Sequence, residues 1–234
     1  MTSQGTLHVV LYSFVFLAFG LLWLHVFFRH AFPGSKFTYL STVGLGALAL
    51  MVTLPLQSRL LSLVGSWLAE HGVSIWLSGA LLALFTGLLQ EALKIGVIWL
   101  GRVTSGSRIS WRAAGLAAGL GFGVWEAWRL VALPLGAYSI WSPVAVLERC
   151  FAIGLHISLA LITAYGLGRR QPGRFFLLAA LWHGAVNFMA LLYQGWVLSF
   201  WPTEIAIMVL SVAALFTASW LDKKAINTRK EAWY

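Results

Sequence analysis

The sequence predicts an all-α bundle of about seven membrane-spanning helices. Hydrophobic residues make up 60% of the 234 residues, whereas Asp, Glu, Lys and Arg make up only 10%, against about 25% in soluble domains. The apolar residues occur in long uninterrupted blocks, and a helix crosses a bilayer in about 20 residues. The blocks lack the apolar–polar alternation of membrane strands, which argues against a β-barrel.

Seven blocks are long enough to span the bilayer, so the whole chain, 1–234, is predicted to be a single integral-membrane domain in the cell membrane. Residues 58–71 either extend the second span or form a separate amphipathic helix. Spans 1, 2 and 7 carry no charged side chain near their centres and are predicted to be scaffold. The predicted spans are 7–28, 37–57, 73–101, 111–134, 143–168, 174–195 and 202–221.

Basic residues alternate along the connections between these spans. Lys and Arg follow spans 1, 3, 5 and 7, but none lies between spans 4 and 5 or between spans 6 and 7. Because Lys and Arg concentrate on the cytosolic side, the N-terminus is predicted to lie outside and the C-terminus in the cytosol. The net charge of +9 therefore indicates topology and contact with membrane lipids, and we do not expect nucleic-acid binding.

Spans 3 to 6 each carry ionisable or amide side chains deep in the bilayer. A charged side chain at the centre of a membrane helix costs about 2.5–3.5 kcal/mol unless it finds a partner or a water-filled cavity. At 1.5 Å per residue, Glu91, Glu126, His156 and His183 lie about 15–22 Å from the predicted cytosolic side. Their similar depth predicts that they face one buried chamber. The full polar set is Gln90, Glu91, Lys94, Glu126, Arg129, Glu148, Arg149, His156, His183 and Asn187.

Spacing along each helix places several of these side chains on shared faces. Glu91 and Lys94 are three residues apart, and His183 and Asn187 are four apart, which are the spacings of neighbours on a helix surface. Arg149 precedes His156 by two helical turns. Each helix can therefore direct its polar groups toward a common interior.

Glycine recurs at every fourth position of span 4. Gly115, Gly119 and Gly123 form a small-residue face that allows a neighbouring helix to approach closely. Glu126 follows Gly123 by three residues and continues this face. We therefore expect a compact wall on this side of the chamber.

The residue types of the set suit hydrolysis of a peptide bond in or near the bilayer. Two His and one Glu are the ligands of a catalytic zinc site, and here they would be Glu126, His156 and His183. A second carboxylate could then act as base for the metal-bound water. Without zinc, no cofactor is needed, because a buried carboxylate can activate water itself while His and Asn side chains donate to the oxyanion.

The chain resembles the YhfC family of predicted intramembrane proteases, which is related to the PrsW proteases and to the CAAX-protease and bacteriocin-processing group. Three motifs carry the resemblance, and the helix with Glu148, Arg149 and His156 looks like an additional motif of the YhfC branch. The resemblance covers roughly residues 87–190, within a catalytic-type core at about 73–195. The motifs are Gln90-Glu91-Ala-Leu-Lys94, Phe122-Gly-Val-Trp-Glu126 and His183-Gly-Ala-Val-Asn187.

The resemblance implies an intramembrane endopeptidase, of glutamic or metal-dependent type, that acts on a membrane-bound peptide or protein. One position departs from the family pattern, because Gln90 replaces the first Glu of the acidic pair, which the CAAX-protease group is taken to use to activate water. We expect Glu91 to take over that role with Lys94 stabilising its charge. The catalytic set implied is Glu91, Lys94, Glu126, Arg149, His156, His183 and Asn187.

Four other interpretations remain open at this point. Glu91 with Arg129, and Glu126 with Lys94, could be buried ion pairs without chemistry. The intramembrane ionisable groups could form the proton pathway of a proton-coupled transporter. With Gln90 in place of Glu, the chain could be an inactive scaffold that binds a partner helix. Finally, Cys150 could act as a nucleophile, although a lone Cys in a helix usually packs as a small apolar residue.

Overall fold

The computed structural model describes residues 3–28, 36–106, 109–132 and 143–227. These residues form seven α-helices and no strand, which confirms the predicted all-helical bundle. Six of the helices are long and apolar enough to cross a membrane, and α4 is the exception. The helices are α1 Ser3–Phe27, α2 Lys36–Glu70, α3 Ile75–Thr104, α4 Trp111–Ala132, α5 Pro143–Gly168, α6 Pro172–Gln194 and α7 Phe200–Asn227.

The second span and the segment after it form one continuous helix. α2 runs for 35 residues through Pro55, so the structure selects the extended span over a separate amphipathic helix. Proline lacks the N–H that would bond the carbonyl one turn earlier, yet the helix continues beyond it. Leu54 and Gln57, on either side of Pro55, both face the interior cavity described below.

α5 is the central helix of the bundle. Every residue from Ile153 to Gly166 is buried, and α5 packs against α1, α3, α4, α6 and α7. The middle of α5 is apolar on most sides, as expected for a helix that other helices surround. Among the other helices, α3 packs mainly against α6, and α2 packs mainly against α4.

The glycine face of α4 packs directly against α5, as its spacing predicts. A Cβ atom added at Gly119 would lie 2.6 Å from the carbonyl oxygen of His156, and one at Gly123 would lie 2.9 Å from the Cα of Ile153. Distances this short leave no room for a side chain. The close approach brings Glu126, one turn further along α4, next to α5.

The outer surface of the bundle is largely apolar. Large hydrophobic side chains such as Phe14, Leu63, Leu181 and Phe216 are more than half exposed. Exposed apolar area on this scale is uncommon in soluble monomers and suits contact with lipid chains. The surface and the six candidate spans together identify a multi-pass membrane protein.

A buried ion pair ties three helix ends together on the side of the basic connections. Arg112 donates from Nε to Oδ1 of Asp222 at 2.6 Å and from a terminal nitrogen to Oδ2 at 2.8 Å. The same guanidinium reaches the carbonyl of Phe28 at 3.4 Å. This contact places the start of α4, the end of α7 and the end of α1 at the same end of the bundle.

Candidate active site

A cavity of about 570 Å³ lies between six of the seven helices, α2 to α7. Five members of the predicted catalytic set line it, and the remaining two, Glu91 and Lys94, lie immediately behind its wall. The lining residues from the predicted polar set are Gln90, Glu126, Arg129, Glu148, Arg149, His156, His183 and Asn187. We call this cavity the chamber.

The four groups predicted at similar depth form a continuous series of contacts. His183 Nδ1 lies 2.7 Å from Glu91 Oε1, and His156 Nε2 lies 3.1 Å from Glu126 Oε2. The two imidazole rings are edge to face, with centroids 5.1 Å apart. Residues from four helices, separated by as many as 92 positions, therefore meet at one place.

Glu91 has a different position from the one its proposed role requires. Its side chain is fully buried, and its Oε1 accepts from Lys94 Nζ at 2.5 Å as well as from His183. Glu91 does not line the chamber. Glu91 therefore contacts His183 and Lys94 from behind the chamber wall.

The contact with Glu91 determines which ring nitrogen of His183 is free. A carboxylate that already accepts from an ammonium is ionised and cannot donate, so the proton of the contact belongs to His183 Nδ1. In the neutral imidazole, Nε2 then carries the lone pair. Metal-binding histidines are commonly held in this way by a carboxylate behind the ring.

Glu126 is the carboxylate of the pair that faces the chamber. Its side chain is 21% exposed, compared with 0% for Glu91. Arg149 approaches Glu126 Oε1 at 3.9 Å and makes a closer contact with its neighbour Glu148. The orientation of His156 toward Oε2 lacks hydrogen-bond geometry despite the short distance, so Glu126 keeps a free acceptor.

The observed ion pairs differ from the Glu91–Arg129 and Glu126–Lys94 pairs that the sequence left open. Lys94 pairs with Glu91 on its own helix instead of with Glu126, and Arg149 approaches Glu126. Arg129 lines the chamber but forms none of the ion pairs found among the described side chains. Lys94 also lies 5.5 Å above the ring of Phe122, which forms an apolar base beneath the charged groups.

Several buried polar atoms around the chamber have no hydrogen-bond partner among the described residues. They include two acceptors, Glu91 Oε2 and Gln90 Oε1, and one donor, Asn187 Nδ2, together with His156 Nδ1. Buried polar groups in folded proteins are nearly always bonded. A cluster of exceptions beside a cavity indicates a site whose partners are a ligand, an ion or water.

The donors suit zinc by chemical type. Two imidazoles and a carboxylate form a known catalytic zinc set, and His183 is held as such a ligand usually is. In the part of the chain that the structure describes, however, no three His, Cys, Asp or Glu side chains are arranged to hold a metal ion. Binding zinc through Glu126, His156 and His183 would therefore need side-chain rotation.

The sequence analysis did not single out four polar residues of the chamber wall, Gln57, Thr86, Tyr193 and Gln194. Gln57 of α2 accepts from Gln90 Nε2 at 3.3 Å, and both amides are buried. Gln57 lies at the end of the predicted second span, which was assigned to scaffold because it lacks charge. Only the contact of Gln57 with the deep-lying Gln90 of α3 could have revealed its role. That contact depends on how α2 and α3 are rotated about their axes.

Cys150 and Glu204 lie near the chamber without lining it. Cys150 is a buried residue of α5, and its carbonyl accepts from the indole of Trp23 at 2.7 Å. Its thiol has no place among the chamber-lining groups. Glu204 of α7 is buried within electrostatic range of Glu148 and Arg149, and its sequence position near the start of a span gave no signal of this.

A family model described as YhfC intramembrane metalloprotease matches residues 136–208. The resemblance to the YhfC family is confirmed over this stretch. The YhfC match covers α5, α6 and the first turns of α7, and so includes Arg149, His156, His183 and Asn187, whereas Glu91 and Glu126 precede it. Neither a curated protein nor a solved structure matches the chain.

Proposed function

We propose that this chain is an intramembrane endopeptidase that hydrolyses a membrane-embedded or membrane-proximal peptide bond in the chamber. The observation that carries the proposal is the series Glu91–His183–His156–Glu126, which joins two carboxylates and two imidazoles beside a cavity in a membrane bundle. The YhfC match supports it independently.

Glu91 and Lys94 would act as positioning residues. Lys94 neutralises Glu91 inside the bundle, and Glu91 fixes His183 so that Nε2 presents its lone pair. A charged pair buried without further partners stabilises little by itself. Its value here would lie in holding one imidazole in one tautomer.

Glu126 would move the proton of the attacking water in a metal-free reaction. The carboxylate takes a proton as the water oxygen bonds to the peptide carbonyl carbon, and it returns that proton to the amide nitrogen as the C–N bond breaks. Arg149 lies 3.9 Å from Glu126 Oε1 and provides a positive charge beside this carboxylate. Asn187 Nδ2, which has no acceptor among the described residues, would donate to the oxyanion.

If the enzyme is metal-dependent, Glu126, His156 and His183 would hold the zinc ion. Such an ion acidifies a bound water and polarises the peptide carbonyl. The roles of Glu91, Lys94 and Asn187 would be the same. His183 would still need Glu91 behind it, because the ligand atom is the nitrogen that Glu91 leaves free.

Cleavage of a panel of synthetic single-span peptides in proteoliposomes, with product masses read by mass spectrometry, tests the proposal. We expect Glu126→Gln and His183→Ala to lower the cleavage rate by about 10³-fold or more. The matched controls His25→Ala and Glu70→Gln change exposed side chains and should cleave as the parent does. Parent-level cleavage by both chamber variants would refute the assignment.

Metal analysis of the same purified proteins separates the two forms of the mechanism. In the metal-dependent form, zinc should be bound by the parent and by His25→Ala but lost from His183→Ala. In the glutamic form, protein stripped with 1,10-phenanthroline should retain its full cleavage rate. Retained zinc in His183→Ala would show that this imidazole is not a ligand.

A further inference from the structure

The side chains that line the chamber differ in exposure. His156 and His183 are each 2% exposed, whereas Arg149 reaches 12% and Glu126 21%. Gln194, the last residue of α6, also lines the chamber and is exposed. The chamber is therefore closed beneath His183 and opens past Gln194.

The open end is formed by four helix termini. α4 finishes and α5 begins there, and α6 finishes and α7 begins there. The Arg112–Asp222 pair marks the opposite end, where α4 starts and α7 finishes. The connections that carry Arg102, Arg169 and Arg170 belong to that opposite end. The mouth of the chamber thus faces away from the basic side of the protein.

Charges of both signs surround the mouth. Arg129, Glu148, Arg149 and Glu126 line it, and three of them are linked by the contacts of Arg149. Groups of this kind at the edge of a bilayer hold water, whereas an intact apolar helix gains nothing from them. The mouth suits a hydrated polypeptide segment better than a membrane span.

Deeper in, the chamber offers one free donor and one free acceptor from amide side chains. Within the described ranges of the chain, Asn187 Nδ2 lacks an acceptor and Gln90 Oε1 lacks a donor. An extended peptide exposes backbone N–H and C=O groups that must find partners away from water. The two amides match those two needs, which a helical segment with its own backbone bonds would not present.

We propose that the chamber receives its peptide from the extracytoplasmic side, as an extended polar segment adjoining a membrane anchor, and that the cleaved bond lies in or just outside the outer half of the bilayer. The nature of the ligand rests on the proposed endopeptidase function. The identity of the side rests on the basic connections being cytosolic. The ligand class is a membrane-anchored polypeptide with an unfolded stretch at the outer boundary of its span.

Thiol accessibility tests the route without any need for activity. Cys150 is the one cysteine of the sequence, so Cys150→Ser gives a background for single-cysteine variants. Ala152→Cys on α5 and Ala190→Cys on α6 place a small probe in the chamber lining without touching the proposed catalytic groups. A charged, membrane-impermeant methanethiosulfonate is applied to right-side-out and to inside-out vesicles.

Three reference variants calibrate the labelling. Ala179→Cys replaces a fully buried alanine of α6 and should stay unlabelled in both vesicle types. Gln171→Cys reports the basic end, and Glu70→Cys reports the opposite end; both positions are exposed. Gln171→Cys should react in inside-out vesicles and Glu70→Cys in right-side-out vesicles.

We expect both chamber probes to react at least tenfold faster in right-side-out than in inside-out vesicles, in step with Glu70→Cys. Because the two probes lie on separate helices, failure of one variant to fold leaves the other informative. The proposal would be overturned if the chamber probes reacted from the same side as Gln171→Cys, or if they were as unreactive as Ala179→Cys. It would also be overturned if the two end markers, Gln171→Cys and Glu70→Cys, reacted from the sides opposite to those expected.

Single-span peptides in oriented proteoliposomes test the ligand. One carries an extended polar segment at its outer boundary, and its partner carries the same segment at the inner boundary. We expect cleavage of the first alone. Cleavage of the second alone would overturn this inference while leaving an endopeptidase. Cleavage of neither, with outward labelling intact, would sink the endopeptidase function but support the outward opening.

Discussion

Two buried ion-pair clusters, one at the basic end of the bundle and one beside the chamber, differ in how completely their atoms are bonded. At the basic end, Arg112 and Asp222 make a bidentate contact, and the guanidinium also reaches the carbonyl of Phe28. In the chamber cluster, Glu91 keeps Oε2 unbonded and Asn187 keeps Nδ2 unbonded among the described residues. Both clusters are buried in a setting where each charge is costly.

The difference separates a structural role from a chemical one. A buried charged pair that bonds all its atoms to the protein has no capacity left for a ligand, and it joins the helices that carry it. A cluster with unused donors and acceptors is poorly stabilised on its own. Such a cluster is retained only if something else completes it. On this reasoning, we assign Arg112–Asp222 to the stability of the bundle and propose that the chamber cluster serves the proposed reaction.

The largest effect is expected from removing one member of the fully bonded Arg112–Asp222 pair. Asp222→Leu should lower the free energy of unfolding by about 3–5 kcal/mol, because it leaves Arg112 buried without its counter-charge. Denaturant unfolding of the purified protein in detergent measures the loss. The cleavage rate per folded molecule should remain that of the parent.

The double variant Arg112→Met with Asp222→Leu is the matched control for that experiment. Replacing a buried pair by apolar residues of similar size is often close to neutral, so most of the lost stability should return. Loss of cleavage in a fully stable Asp222→Leu protein would assign the pair to the reaction and remove the distinction.

The second test removes a side chain of the chamber cluster that has an unused hydrogen-bond donor. Asn187→Ala should lower kcat/KM for peptide cleavage by about 10²–10³-fold, the usual effect of removing an oxyanion donor. Thermal unfolding should hardly change, since Nδ2 has no partner in the part of the chain that the structure describes. Asn227→Ala, at an exposed position at the end of α7, is the control. A large loss of stability without loss of rate would make Asn187 structural.

The smallest effect is expected from the packing that brings the chamber helices together. Gly119→Ala inserts a methyl group 2.6 Å from the carbonyl of His156, and such overpacking typically costs about 1–3 kcal/mol. Gly96→Ala, with nothing within 4 Å, should instead stabilise by about 0.5–1 kcal/mol. Paired unfolding curves measure both, and equal effects would contradict the tight α4–α5 contact.

The sequence was sufficient for the architecture and for the meeting of the polar groups. Long apolar blocks define the helices, and the cost of intramembrane charge requires Glu126 and His156 to face inward. Depth follows from counting residues along each helix. Those arguments depend on distance along the chain alone, which the sequence provides directly.

The choice of partners between helices could not be predicted in the same way. The three-residue spacing on α3 predicts that Lys94 can neutralise Glu91, as it does, but contacts between helices depend on the rotation of each helix about its axis. The rotation of α3 places Glu91 behind His183 and Gln90 against Gln57. A neutral amide in an apolar span carries no energetic signal strong enough to mark it beforehand.

α4 lacks the apolar character of the other six helices, with Arg112, Glu126 and Arg129 in its 22 residues. Two of its charged groups find partners on other helices: Arg112 pairs with Asp222 of α7, and Glu126 lies beside Arg149 and His156 of α5. A segment of this kind partitions poorly from the translocon by itself. We therefore expect α4 to enter the bilayer together with the helices that supply these partners.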